Sequence, residues 1–137
     1  MAVVDASVWV SIFKKNDEFH AQAINIIQTL ISNQESICIP AIAFSEVAGV
    51  IKRTTQDSDT ARNAVLYMKD MAPEILVNFG ELEPIATKIA INYSIRGADA
   101  YYLAVAEIKK SNLYTFDKQQ KEAFEEIRKT WQFNSGQ

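Results

Sequence analysis

The sequence predicts an α/β domain with a mostly parallel central sheet, and three observations predict it. Short apolar runs rich in β-formers recur along the chain, longer stretches of helical period separate them, and the runs are apolar on successive positions. Successive apolar positions mark strands covered on both faces, as parallel strands under helices are. The 137 residues, 48% of them hydrophobic and 23% charged, fit one compact domain over residues 1–137. No repeat, linker or low-complexity tract divides it.

Taken in order, Ala2-Val3-Val4 is the first strand. A helix starting near Ser7 follows it, and Phe19 to Ile31 places Phe19, Ala23, Ile26, Ile27, Leu30 and Ile31 on one stripe. Ile37-Cys38-Ile39 is the second strand. Ala41 to Arg53 and Thr60 to Met71 form a helical pair split by the polar segment Thr54-Thr55-Gln56-Asp57-Ser58. Ile75-Leu76-Val77 is the third strand. Glu81 to Ile95 is a helix with acids in its first turn, and Gly97 stands where a left-handed residue often ends a helix. Ala98 to Lys110 is helical, Leu113-Tyr114-Thr115-Phe116 is the fourth strand, and Lys118 to Trp131 closes the series. Only Asn134-Ser135-Gly136-Gln137 reads as frayed. The order β-α-(α)-β-α-α-β-α-α-β-α belongs to the α/β class.

Composition removes several chemistries. The single cysteine, Cys38, allows no intrachain disulfide and no Cys-based zinc site, and the single histidine, His20, removes multi-His metal sites. The four glycines, Gly49, Gly80, Gly97 and Gly136, are too far apart for a GxGxxG turn or a P-loop. No apolar stretch approaches the roughly 20 residues that cross a bilayer. The start, Met1-Ala2-Val3-Val4-Asp5, does not read as a secretory signal, so a reducing, cytoplasmic setting without membrane contact is expected. A net charge of −3 argues against holding nucleic acid by bulk electrostatics. It leaves open a route to phosphate through bound cations.

Metal chemistry here must therefore rest on oxygen, and the position of the acids decides where. Open parallel sheets bind ligands beyond the carboxyl ends of their strands. Asp5 directly follows the first strand and Asp117 the fourth, so both emerge on the same edge. Each also fits as a helix N-cap, Asp117 with Gln120 three residues on. Glu46 has Ile42, Ala43, Gly49 and Val50 as its same-face neighbours, and a carboxylate on so apolar a face needs a cation or a donor. Asp99 opens a segment whose continuation, Ala100 to Ala106, has no charge, so that helix start points into the interior or a cleft; it too fits as a cap. Four such acids brought together repel one another without cations, and hard Mg²⁺ or Mn²⁺ suits the set.

The Val-Val-Asp-Ala-Ser start, Ser45-Glu46-Val47, Asp99-Ala100 before a small-apolar helix, and Thr115-Phe116-Asp117 after a strand resemble the PIN-domain family, and within it the VapC-like ribonuclease toxins. The likeness spans nearly the whole chain, with the motifs in the family's order. It implies a three-layer α/β/α fold, a central sheet of four or five strands, and one cleft joining the acids. The family's final strand has only Trp131-Gln132-Phe133-Asn134 as a candidate. Residue by residue, the resemblance assigns Asp5, Glu46, Asp99 and Asp117 as metal-binding catalytic acids, with Ser7 and Thr115 as supporting hydroxyls. Asp5 and Asp99 are expected to form the main Mg²⁺ or Mn²⁺ site, Glu46 and Asp117 to hold a second ion or orient water.

The activity so implied is metal-dependent endonucleolytic hydrolysis of RNA, with a cognate antitoxin and a homodimer as partners in a type II toxin-antitoxin system. The alternatives are a PIN-domain nuclease of RNA processing or decay, or a non-catalytic module that docks RNA or protein. Arg96, three residues before Asp99, is placed to touch substrate or pair with the acids. The basic pairs Lys14-Lys15, Lys52-Arg53 and Lys109-Lys110 either flank the cleft or are solvated surface. His20 reads as a surface helix residue, Cys38 and Trp9 as core, while Phe13, Tyr101 and Tyr102 fit a core or a partner surface. Two other α/β classes with an acid after the first strand fit poorly. A haloacid-dehalogenase-type site needs a second Asp where Ser7 stands, and a receiver domain needs one after the third run, where Asn78-Phe79-Gly80 stands.

Overall fold

A computed structural model describes residues 1–72, 74–76 and 79–135. The elements are β1 (Ala2–Val4), α1 (Ala6–Ile12), α2 (His20–Ser32), β2 (Ile37–Pro40), α3 (Ile42–Thr55), α4 (Ser58–Met71), β3 (Glu74–Leu76), α5 (Phe79–Tyr93), α6 (Gly97–Lys109), β4 (Asn112–Tyr114) and α7 (Lys118–Ser135). Of the expected third strand, Val77 lies outside the described residues, as do Asn78, Gly136 and Gln137.

The strands form one parallel sheet in the order β3-β2-β1-β4. From β1 the chain steps to β2 and β3 on one side, then crosses back to β4 on the other. With right-handed crossovers, the reversal puts α1 to α4 on one face and α5 and α6 on the opposite face. Packing agrees: α6 lies against β1, β2 and β4 with α5 and α7 beside it, while α1 packs on α2 and α3, and α3 on α4. Side chains alternate between faces along a strand, yet every residue of β1 and β2 is buried, so both faces are covered. The reversal makes the carboxyl end of β1, beside β4, the switch point where such sheets open a crevice.

Trp9 is fully buried, and its indole N–H donates to the Val4 carbonyl at 3.0 Å. Tyr102 is also fully buried, whereas Tyr101 is half-buried. Cys38 is buried in β2; burial pushes its thiol up to about 11, Glu74 adding to the rise and Lys109 opposing it. His20 is half-buried rather than a free surface group, its Nδ1 bonded to the Ser11 carbonyl at 2.8 Å.

Two expectations are corrected. Gly97 does not end a helix: it is the first residue of α6, and the left-handed residue after α5 is Ser94, φ 54°. Trp131–Asn134 is not a strand but part of the last turns of α7. Gln120, Phe124, Ile127 and Trp131 recur at i, i+4, i+7 and i+11, so this segment continues a helical stripe onto the core.

Candidate active site

All four acids singled out in the sequence line one cleft of about 400 Å³ at the carboxyl edge of the sheet, with Ser7 beside them and Arg53 and Arg96 among its walls. Asp5 comes from the end of β1, Glu46 from α3, Asp99 from the first turn of α6, and Asp117 from the start of α7. Strand register explains the first and last: Val4 faces Tyr114, so the chains leave the sheet side by side, and the Asp5 N–H donates to the Tyr114 carbonyl at 2.9 Å.

Asp5 is the most tightly held. It is 3% exposed, and as N-cap of α1 it accepts the Ser7 N–H on Oδ2 at 3.0 Å. Thr115 Oγ1 lies 3.1 Å from the same oxygen, and Gln120 Nε2 donates to Oδ1 at 3.1 Å. Thr115 has one hydroxyl hydrogen and two pure acceptors, Asp5 Oδ2 and, at 2.7 Å, Gln120 Oε1. It serves one at a time. An ionised carboxylate has about four lone-pair sites, so Asp5 keeps at least one free after these bonds.

The cap reading is thus realised by a side chain that also lines the cleft. Asp117 does likewise, accepting the Gln120 N–H at 2.9 Å at the start of α7. Thr115 accepts the Asp117 N–H at 3.0 Å, and Ser7 Oγ accepts the Phe116 N–H at 3.0 Å, so the two hydroxyls fix the turn that carries Asp117.

Glu46 and Asp99 carry the electrostatic strain. Desolvation raises the Glu46 pKa above its ordinary value; the Tyr102 hydroxyl, donating to Oε1 at 2.9 Å, opposes this, and Asp5 and Asp99 add to it. Desolvation also raises the Asp99 pKa, with Asp5 and Asp117 adding and Arg96 opposing. Arg96 Nε sits 3.4 Å from Asp99 Oδ2, but the arginine is 82% exposed, so water screens the pair.

Gln120 is the residue that sequence reasoning placed only as a capping partner. It is fully buried, and its two amide hydrogens go to Asp5 Oδ1 and to the Asp99 carbonyl, each at 3.1 Å. One side chain of α7 thereby ties the end of β1, the turn after β4 and the start of α6. Its signal in the sequence is a polar residue on the apolar stripe Gln120, Phe124, Ile127, Trp131. Tyr102 is a second such residue, its hydroxyl set on Glu46. Of the basic pairs, Arg53 reaches the cleft. Lys109 and Lys110 pair instead with Glu74 at 3.6 Å and Glu107 at 2.9 Å, at the opposite end of α6 from Asp99.

Among the described residues, no three His, Cys, Asp or Glu side chains close into a ready metal cage. A hydrated Mg²⁺ or Mn²⁺ does not need one: Mg²⁺ is usually held by one or two carboxylates, keeping several waters. Carboxylates sharing a cleft, two of them with raised proton affinity, are a donor set that fits such a cation.

Residues 2–126 match the family model described as PIN domain. No curated protein matches. Among solved structures, the chain is similar to VapC20 of Mycobacterium tuberculosis, described as a sarcin-ricin loop cleaving toxin, at TM-score 0.74 and 19% identity over 90% of this chain and 95% of that one. It is also similar to a chain of VapBC2 from Rickettsia felis, solved bound to a DNA fragment from their promoter, at TM-score 0.68 and 14% identity over 88% and 91%. At these identities the likeness shows a shared fold.

Proposed function

The chain belongs to the PIN-domain family, and from that premise we propose that it is a Mg²⁺- or Mn²⁺-dependent endoribonuclease, the toxin of a type II toxin-antitoxin system. The observation that carries this reading is the convergence of Asp5, Glu46, Asp99 and Asp117 on one cleft, with Glu46 and Asp99 made reluctant to ionise there. A divalent cation held by these acids would supply Lewis-acid activation of water and neutralise the charge that develops on the phosphate.

The chain's own residues fix where that happens. Asp5 is oriented by Ser7, Thr115 and Gln120, so its free lone pair points from a rigid support. Asp99 would provide the second carboxylate of the main site, and Glu46, held by Tyr102, and Asp117 would hold a second cation or orient the attacking water. Arg96, largely exposed at the rim, is placed to meet an incoming phosphate.

The toxin assignment draws on the likeness to VapC20 and to VapBC2, and with it come an antitoxin that covers the cleft, a homodimer and a cytoplasmic site of action. Asp5→Asn and Asp99→Asn are expected to reduce Mn²⁺-dependent RNA cleavage at least a hundredfold while the circular dichroism spectrum stays as in the parent. Retained cleavage in either variant sinks the site assignment. Absence of Mn²⁺ binding to the parent in a calorimetric titration would point to a non-catalytic module. Growth arrest on expression, relieved by Asp99→Asn, separates a toxin from a nuclease of RNA processing.

A further inference from the structure

Arg53 occupies a place in the cleft that the acid chemistry does not use. On α3, Glu46, Gly49, Val50 and Arg53 fall at i, i+3, i+4 and i+7, and Glu46, Val50 and Arg53 line the cleft. The guanidinium folds back along the helix: a Cβ added to Gly49 would meet Arg53 Nη1 at 3.2 Å. Gly49 has no positive φ, so the backbone does not require glycine there, and glycine weakens a helix interior. What Gly49 leaves is room: a Cβ there would ask the exposed guanidinium to give by only a few tenths of an ångström.

The second observation is electrostatic. The arginines in ion pairs among the described residues are Arg62 with Asp59, Arg96 with Asp99 and Arg128 with Glu125; Arg53 has no carboxylate partner, although four acids line the same cleft. A planar five-donor cation, exposed on the cleft wall and without a carboxylate partner among the described residues, is suited to an oxyanion that arrives from outside.

We propose that Arg53 binds a backbone phosphate of single-stranded RNA flanking the one that is cut. The proposal rests on the nuclease reading of the acid site. Arg53 is a substrate-positioning residue in it, and its contact is spent on holding the strand rather than on the chemical step.

The test is single-stranded RNA binding by fluorescence anisotropy as a function of NaCl, at fixed Mn²⁺, alongside steady-state cleavage. Losing one phosphate contact on a single strand lowers the slope of log affinity against log salt by about 0.7. Arg53→Gln is expected to show that change, weaken binding about tenfold and raise KM with kcat little altered. Arg53→Lys restores the slope with part of the affinity. Parent-like salt slope in Arg53→Gln overturns the proposal, as does tighter Mn²⁺ binding with that slope unchanged, the mark of a mere counter-ion of the acids. If the parent cuts RNA while Arg53→Gln keeps its slope, only this inference falls; a parent that neither binds nor cuts RNA removes the nuclease reading as well.

Discussion

Glu46 and Asp99 are costly as anions in this fold. Each is desolvated first and repelled by neighbouring acids second, and the hydroxyl of Tyr102 and the guanidinium of Arg96 offset only part of that. A carboxylate whose folded pKa is raised binds a proton more readily folded than unfolded. Its favourable contribution is therefore fully present below the unfolded pKa, about 3.9 for Asp and 4.3 for Glu, and is lost as pH rises through the raised folded value. Metal-free protein should accordingly gain stability from Glu46→Gln or Asp99→Asn at neutral pH, with the gain shrinking as pH falls toward the unfolded values. Thermal midpoints across that range, in chelator, measure it. A variant less stable than the parent at pH 7 would show the acids to be satisfied by donors rather than strained.

The helix ends show why boundaries were harder to read than elements. Among the described residues, four helices are followed by left-handed residues that are not glycine: Gln34 after α2, Gln56 after α3, Ser94 after α5 and Lys110 after α6, with φ between 49° and 58°. The sequence marks such ends with Gly only when Gly is there, so Gly97 drew the signal that Ser94 carries. Replacing Ser94 with Gly should remove the left-handed penalty against a smaller rise in unfolded-chain entropy, for a net gain of up to about 1 kcal/mol in urea denaturation. A β-branched Val there should lose stability.

The strands and long helices were legible because apolar spacing depends on burial alone, and the four acids because they stand immediately beyond strands or on apolar helix faces. Gln120 was not, since its role depends on three elements distant in sequence. Gln120→Leu removes both donors to Asp5 Oδ1 and the Asp99 carbonyl. It should cost about 1–3 kcal/mol for the buried Asp5 oxygen left unpaired, and less for the half-buried Asp99 carbonyl. Among the kinetic constants, kcat should fall more than KM rises. Gln120→Glu, which sets a carboxylate against Asp5, should be worse on both counts. An unchanged kcat in a folded Gln120→Leu protein would reduce Gln120 to packing.

At the scale of the whole molecule the question is how a chain of net charge −3 would hold the polyanion that the proposed activity requires. Bulk attraction is unavailable, and the concave surface at the sheet edge is lined by acids, so without cations that cleft repels phosphate. Divalent ions bound there would reverse the sign of the local field while leaving the remaining surface acidic. Two linked outcomes are expected. Mn²⁺ should raise the thermal midpoint by mass action, a stabilisation of about 2.7 kcal/mol at a hundred times its dissociation constant, fading at acid pH as protons compete for Glu46 and Asp99. RNA affinity, read by anisotropy at low temperature, should be weak in chelator and recover over the same Mn²⁺ range as the thermal shift, with both responses lost in Asp99→Asn. A protein that holds RNA through a basic surface elsewhere would bind equally in chelator and in Mn²⁺, and would keep that binding in Asp99→Asn; such a result would detach RNA recognition from the acid cleft.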